Sequence, residues 1–389
     1  MTRRSDGRER SENKRLRLVQ LTHDLTLGGL EQVVMTLART IDPRRFDVSV
    51  LCLWELGAFG EQLVAQGIPV DVLHVRYERT AFRKVARYLR QRRVDVLHTH
   101  NTPSFLHGSL GAFLARTPTV VHTDHARDFP DRMRYMVAEH IASHLVYRVV
   151  GVSEHTTNNL HRYEKIPRRK LLTIQNGIDG SRFRAPVDVA AKRRELDLPS
   201  DGRVIGLASR LTPQKDVPNL LRAMTIVVRE IPNVTLLVVG EGDGSERAEL
   251  RALADELGLG ERVRFLGLRF DIPELLATFD VYASSSVWEG LPMVILEAMA
   301  AGCPIVATAV GGLPTAITDN VNGTLVPPRD HEALARALID LLRDGERRAR
   351  YARAAREVFA ARYSAEIMAR QYEALYERRP LPKPASPVI

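Results

Sequence analysis

Cysteine is nearly absent. Cys52 and Cys303 are the only two among 389 residues, and each lies in or beside an apolar run, VSVLCLW and GCPIVAT. This excludes a disulfide scaffold and fits buried free thiols in a reducing cytoplasm. No run of about eighteen apolar residues occurs, so no transmembrane helix is expected. The opening MTRRSDGRERSENKRLR has no apolar centre, unlike a secretory signal, and residues 1–15 are expected to form a disordered basic arm. Two phosphate-binding signatures are also missing: the dinucleotide pattern GxGxxG and the P-loop GxxxxGK[ST]. There is no Asp-x-Asp pair, which disfavours an enzyme that grips a diphosphate through such a pair and a divalent metal.

What is present is a basic, globular composition: 44 % hydrophobic and 26 % charged residues with a formal charge of +9. Such a balance fits a soluble enzyme and favours anionic partners without choosing among nucleotide, phosphorylated substrate, acidic membrane and nucleic acid. The length suggests about two domains. Short β-branched runs alternate with helical spacing: RLVQLTH, FDVSVLCLW, IPVDVLHV, VDVLHTH, TVVHTDH and RVVGVS in the first half, then RVIGLAS, NVTLLVVG, RVRFLG, FDVYASS, PIVAT and GTLVP in the second. Alternation of this kind predicts βαβ units and mostly parallel sheets covered on both faces. The pattern pauses where Gly, Pro and charge gather, between 176 and 202. The expectation is therefore an α/β protein of two Rossmann-like domains facing each other across a cleft: 16–180, completed by a C-terminal helix at 364–378, and 203–363, joined by a linker at 181–202. The Pro-rich tail, 379–389, is expected to be disordered.

Open parallel sheets bind ligands beyond the carboxyl ends of their strands, and four groups of residues fall there. In THDLTLGGLEQVV, Gly28 and Gly29 sit between a strand and a helix, where backbone N–H groups and a helix N-terminus can meet an anion. The same pair alone is also an ordinary glycine turn. In GLASRLTPQKDVPNLL, Arg210 and Lys215 occupy the loop after a strand, a fork and a point charge suited to a diphosphate. In VWEGLPMVILEAMAA, Glu289 precedes the helix that Pro292 starts, and Glu297 lies within it. A carboxylate can accept hydrogen bonds from a vicinal diol, although both could simply complement the helix dipole. His125 lies just past the fifth predicted strand. A metal set built from His98 and His100 with His122 or Asp124 fits no standard zinc spacing.

The ordered set of Gly28-Gly29, VSE, QNGID, SRL-x-PQK, VVGEGDG and EGLPMVILEAMA resembles a retaining glycosyltransferase of the GT-B fold, family 4 type, from about Leu16 to Tyr376. The resemblance implies that Arg210 and Lys215 hold the diphosphate of a nucleoside-diphosphate sugar, with UDP or GDP as its nucleotide. It further implies that Glu297 binds the ribose and Glu289 the transferred sugar. Amides at Gly290, Leu291 and beyond would cap sugar and phosphate, and Gly28 and Gly29 would touch the diphosphate or shape the acceptor site. His125 would lie beside the sugar, and the base would contact the backbone at Gly267 and Leu268. Front-face attack by a hydroxyl acceptor, with no protein nucleophile, no metal and no cofactor, is the implied chemistry, in cell-surface polysaccharide or glycoconjugate synthesis. A nucleotide-sugar 2-epimerase of the same fold is one alternative. A basic nucleic-acid-binding protein is another, disfavoured because no helix-turn-helix, RNP or zinc pattern occurs. In AFRKVARYLRQRR, residues 81–93, Phe82, Val85, Ala86 and Leu89 share one helical face and arginines the other. This is the form of an interfacial helix for an anionic membrane, or of an ordinary crossover helix packed on the sheet.

Overall fold

A computed structural model describes residues 15–383 except 27, 77, 126–128 and 243. Nearly all of the expected N-terminal arm and the last six residues of the tail lie outside the described residues. The first half runs β1 (Leu16–Thr22), α1 (Gly29–Thr40), β2 (Phe46–Cys52), α2 (Gly57–Ala65), β3 (Val70–Val72), α3 (Ala81–Gln91), β4 (Val96–His100), α4 (Thr102–Ala115), β5 (Thr119–Asp124), α5 (Met133–Ser143), β6 (Arg148–Gly151), α6 (Glu154–Arg162) and β7 (Leu171–Thr173). After α7 (Val189–Glu195) come β8 (Arg203–Ala208), α8 (Val217–Glu230), β9 (Val234–Val239), α9 (Glu246–Glu256), β10 (Val263–Gly267), α10 (Ile272–Thr278), β11 (Val281–Ser284), α11 (Met293–Ala301), β12 (Ile305–Thr308), α12 (Leu313–Ala316) and β13 (Thr324–Val326). Three helices close the chain: α13 (His331–Arg343), α14 (Gly345–Arg362) and α15 (Ala365–Tyr376).

Two all-parallel sheets result, ordered β3-β2-β1-β4-β5-β6-β7 and β10-β9-β8-β11-β12-β13. Each is doubly wound, so strand order reverses beside β1 in one and beside β8 in the other. The crevices that reversal opens lie at the carboxyl ends of β1 and β4 and of β8 and β11. The all-buried strand VTLLVV at β9 is what a sheet covered by helices on both faces requires. The short seventh strand, LLT, is absent from the sequence expectation: three residues at a sheet edge show no periodicity.

The last helix returns to the first sheet. Tyr372 and Tyr376 of α15 are buried, and their hydroxyls meet Thr123 Oγ1 (2.8 Å) and His98 Nδ1 (2.7 Å). Glu373 accepts from the backbone N–H of Asp42 and from Arg45. The two segments that cross between the sheets touch each other, Ile178 N–H donating to Tyr363 and Ala365 N–H to Ile178. Gln371 of α15 donates to the Pro382 carbonyl, and Leu381 packs on the core.

Of the two forms read for 81–93, α3 has that of a crossover helix packed on the sheet. Val85, Ala86 and Leu89 of α3 are buried in the protein and Phe82 is half-buried, because α3 packs along α4 and over the sheet. Its apolar face is already covered, and only its basic face meets solvent.

Candidate functional site

One cleft between the sheets gathers residues from four loops, among them Gly28, Gly29, His125, Arg210, Lys215, Glu289, Gly290, Leu291 and Glu297. Two helices point their N-termini into it. The residue before α1 is Gly28 and the residue before α11 is Pro292, and neither provides a side-chain cap. First-turn N–H groups are therefore left for a ligand or water. The two ends are close: a methyl group placed on Gly29 would lie 3.5 Å from Met293 Cγ. Gly28 is extended and unstrained, but a Cβ there would collide with the Glu31 carboxylate at 2.2 Å, so its smallness makes room for that side chain.

Lys215 ends a one-turn 3-10 helix, Pro213–Lys215, and Asp216 then turns left-handed at φ 45°. This turn is pinned to the loop after β11: Val287 N–H donates to the Gln214 carbonyl and Ser285 Oγ to the Lys215 carbonyl. The pinning places Lys215 Nζ 2.5 Å from Glu289 Oε1. Ser286 Oγ donates to the same oxygen at 2.7 Å, and Gln214 Nε2 to the other at 3.2 Å. Glu289 is thus a buried carboxylate with three donors. The backbone of Glu289 and Gly290 is held from beneath by Gly311 and Gly312. A Cβ on Gly311, whose φ is +56°, would lie 1.7 Å from the Glu289 carbonyl, while Gly312 N–H donates to the Gly290 carbonyl.

Glu297, in the second turn of α11, faces the cleft and is bonded across it: Gln32 Nε2 of α1 donates to Glu297 Oε1 at 2.9 Å. Burial raises its carboxyl above the usual range, opposed by the Gln32 hydrogen bond. On the far side of Glu297 a second hollow is lined by Ser209, Arg210, Gly240, Glu241 and Leu268. Gly267 is not among its lining residues. It makes a left-handed turn, and its carbonyl accepts from Gly240 N–H.

Burial pushes the His125 imidazole down to about 4, against the pull of Asp124. Its Nε2 lies 3.0 Å from Nδ1 of buried His100. His98 contacts Thr123 and Tyr376, and His122 contacts Thr99, so the histidines weighed as a metal set are engaged with side chains of the sheet and of α15. Sequence reasoning missed a different group. His23, Asp24 and Glu31 bring their ligand atoms within 4.8 Å of one another, close enough to share a cation. Burial lowers the His23 pKa, with Asp24 opposing. Burial also raises Glu31 to about 7, with Asp24 adding to the rise and Arg210, from the other sheet's loop, opposing it. The signal available in GGLEQ was an acid in the first turn of a helix, which reads as dipole complement. Asn101, in a left-handed conformation at the end of β4, contacts His23 and caps α4.

The family described as Glycosyltransferase Family 4 matches residues 27–182, and Glycosyl transferases group 1 matches 188–358. A D-inositol 3-phosphate glycosyltransferase of Salinispora tropica is 36 % identical over 67 % of this chain, which spans only 59 % of that relative's length. Another of that name, from Stackebrandtia nassauensis, is 32 % identical over 81 % of this chain and 70 % of the relative. The UDP-Gal:alpha-D-GlcNAc-diphosphoundecaprenol alpha-1,3-galactosyltransferase of Escherichia coli is 24 % identical over 86 % of this chain and 90 % of its own. Among solved structures, Anabaena HepE in complex with UDP and glucose superposes with a TM-score of 0.84 at 25 % identity, covering 93 % of this chain and 99 % of that one.

Proposed function

The chain belongs to the group 1 glycosyl transferases of GT-B fold, and from that premise we propose that it transfers a sugar, with retention, from a uridine-diphosphate donor to a hydroxyl of a glycan or lipid-linked glycan. The observation that carries the reading is the convergence of two uncapped helix N-termini, Arg210 and Lys215 on one cleft that Glu289 and Glu297 also line. Charge builds on the diphosphate as the bond from C1 to its oxygen breaks, and fixed donors aimed there lower the barrier. The acceptor oxygen forms its bond to C1 on the face the diphosphate leaves, and its proton passes to the departing phosphate oxygen. Glu289 is held by Lys215, Ser286 and Gln214. That suits it to receive sugar hydroxyls rather than to attack carbon. His125, uncharged near neutral pH, positions the sugar by hydrogen bonding. Glu297 takes the ribose.

The two cations supply the positive charge that a divalent ion would bring, so on this reading transfer needs no metal. The His23, Asp24 and Glu31 group is where chelation would tell if it did. The test is a thermal-shift panel of UDP, GDP and ADP in EDTA, on the wild type and Lys215→Ala. Ligand at about a hundred times its Kd stabilises by roughly 2.7 kcal/mol. A shift with UDP alone, reduced in the variant, is expected. A shift with another nucleotide only would reassign the donor, and none in EDTA with recovery on adding magnesium would overturn metal independence. Conversion of donor alone to a second sugar would point to the epimerase alternative.

A further inference from the structure

His100 is not among the residues lining the cleft, yet it touches a side chain that is. It ends β4 and is buried, on the strand next to the one that His125 follows. Its Nδ1 stands 3.0 Å from His125 Nε2. The ring also lies against that of His98, the two centroids 3.9 Å apart. His98 is itself fixed at both nitrogens, Nδ1 on the Tyr376 hydroxyl of α15 and Nε2 on Thr123 Oγ1 of β5, each at 2.7 Å. A buttress therefore runs from the last helix through His98 and His100 to His125.

The His100–His125 pair has one hydrogen bond and two ways of making it. Burial, with His98 adding to it, holds the His100 imidazole well below its usual range, and burial does the same to His125. Both rings are therefore uncharged near neutral pH, and a neutral imidazole carries one N–H and one bare nitrogen. Either His100 Nδ1–H donates to His125 Nε2, or His125 Nε2–H donates to His100 Nδ1. The nitrogens left over distinguish the two. His100 Nε2 is buried and has no partner among the described residues. In the second arrangement it would be a buried N–H without an acceptor, the rarer kind of orphan. In the first it is only a bare lone pair. The cleft favours the same choice. Glu289 and Glu297 line it as acceptors for hydroxyls, so what the oxygens of a bound sugar still lack is a donor.

We infer that His100 is a positioning residue: by donating Nδ1–H to His125 Nε2 it fixes His125 as the Nδ1–H tautomer, and so sets an N–H donor toward an oxygen of the transferred sugar. The tautomer of a histidine is set by the hydrogen bond that its other nitrogen makes. With His125 Nε2 taken by His100, Nδ1 is the nitrogen left for the cleft. The part played in transfer rests on the glycosyltransferase reading, whereas the tautomer does not.

The test is a long-range proton–nitrogen NMR spectrum of the full chain, isotope-labelled at its histidine nitrogens, with His125→Phe to identify the His125 signals. At neutral pH His125 is expected to show a protonated Nδ1 and a bare Nε2. His100→Asn, whose amide keeps a donor near the Nδ1 position, should preserve that pattern and most of kcat. His100→Leu, which has no donor, should release His125 to the Nε2–H form that histidine favours in water and lower kcat about tenfold. UDP affinity by calorimetry should stay unchanged in both variants, because His125 serves the sugar. A wild-type His125 protonated on Nε2 overturns the inference whatever the activity. So does a His100→Leu protein that turns over like wild type. Equal losses of turnover and of UDP binding in the Asn and Leu variants would mark a merely structural role and overturn it as well. If His100→Leu does not fold, the wild-type spectrum and the Asn variant decide. Wild-type protein that transfers no sugar would refute the glycosyltransferase reading, while the spectrum still settles the tautomer.

Discussion

Lys215→Ala should do two separable kinds of damage. The lysine Nζ stands 2.5 Å from Glu289 Oε1, and the carboxylate is only 6 % exposed in its side chain. Without the lysine, Glu289 keeps only two neutral donors, Ser286 and Gln214. A buried charge left short of a partner costs about 1–3 kcal/mol, and the nearby cleft, which admits water, places the expected loss at about 2 kcal/mol. Separately, if Lys215 stabilises charge on the departing diphosphate, a charged hydrogen bond worth about 1.5–3 kcal/mol disappears from the transition state, which lowers kcat/KM about 10- to 100-fold. Adding Glu289→Gln should separate the effects. The double variant no longer buries an unpaired charge and recovers most of the stability, but it recovers none of the activity. Urea unfolding and initial rates with donor and acceptor measure the two arms. A single variant as stable as wild type would show that the ion pair does not hold Glu289. A loss of activity under about threefold would remove Lys215 from the reacting charge.

Glu31 predicts a pH dependence with a definite sign. Burial lifts its folded pKa to about 7 from 4.5, so the folded protein holds this proton more tightly than the unfolded chain. That stabilisation is complete below about 4.5 and is lost as pH rises through 7. Glu31→Gln should therefore match wild-type stability near pH 4 and exceed it by up to ~3 kcal/mol near pH 8. UDP affinity should fall between pH 6 and 8 in wild type and stay flat in the variant; parallel profiles would refute both the shift and the placement of the carboxyl near the diphosphate. Gln32→Ala tests whether the bond across the cleft competes with ribose for Glu297. It should tighten UDP binding roughly tenfold by calorimetry, whereas weaker binding would mean that Gln32 supports the nucleotide.

Much of this was legible in sequence because both sheets are built from contiguous apolar strands, each followed by its own helix. Arg210, Lys215, Glu289 and Glu297 lie on strand–loop–helix turns whose order can be read directly. The first sheet's contribution is another matter. Gln32 and Glu297 meet across 265 residues of sequence with no local pattern to announce the contact. His98 and His100 share a face of β4 by the period of two, yet nothing near them indicates that α15, from the far end of the chain, covers that face with Tyr372 and Tyr376. In α3, periodicity showed an apolar face but not what it met. Amphipathicity fixes that a face is buried, not whether protein or lipid buries it. The neighbouring α4 and α5, apolar on several sides, carry a weaker periodic signal and a larger exposed apolar area.

The charges of the cleft make sense as a set of exchangeable partners. Three carboxylates, Glu31, Glu289 and Glu297, line the cleft with Arg210, Lys215 and His23, and Asp24 lies beside His23 and Glu31. That is an excess of acid in a site proposed to receive a diphosphate, and left ionised the acids would repel it. The structure deals with the excess one residue at a time. Burial favours the protonated form of Glu31 and Glu297, Gln32 donates to Glu297, and Lys215 neutralises Glu289. On the proposed function, the diphosphate draws Lys215 away, and the Glu289 carboxylate then needs donors beyond Ser286 and Gln214. The hydroxyls of the transferred sugar are the groups that can supply them. A nucleotide without its sugar makes the lysine change partners and leaves Glu289 short of donors, whereas the intact donor satisfies both ends together. Discrimination for the complete nucleotide sugar then follows from the Lys215–Glu289 pair itself.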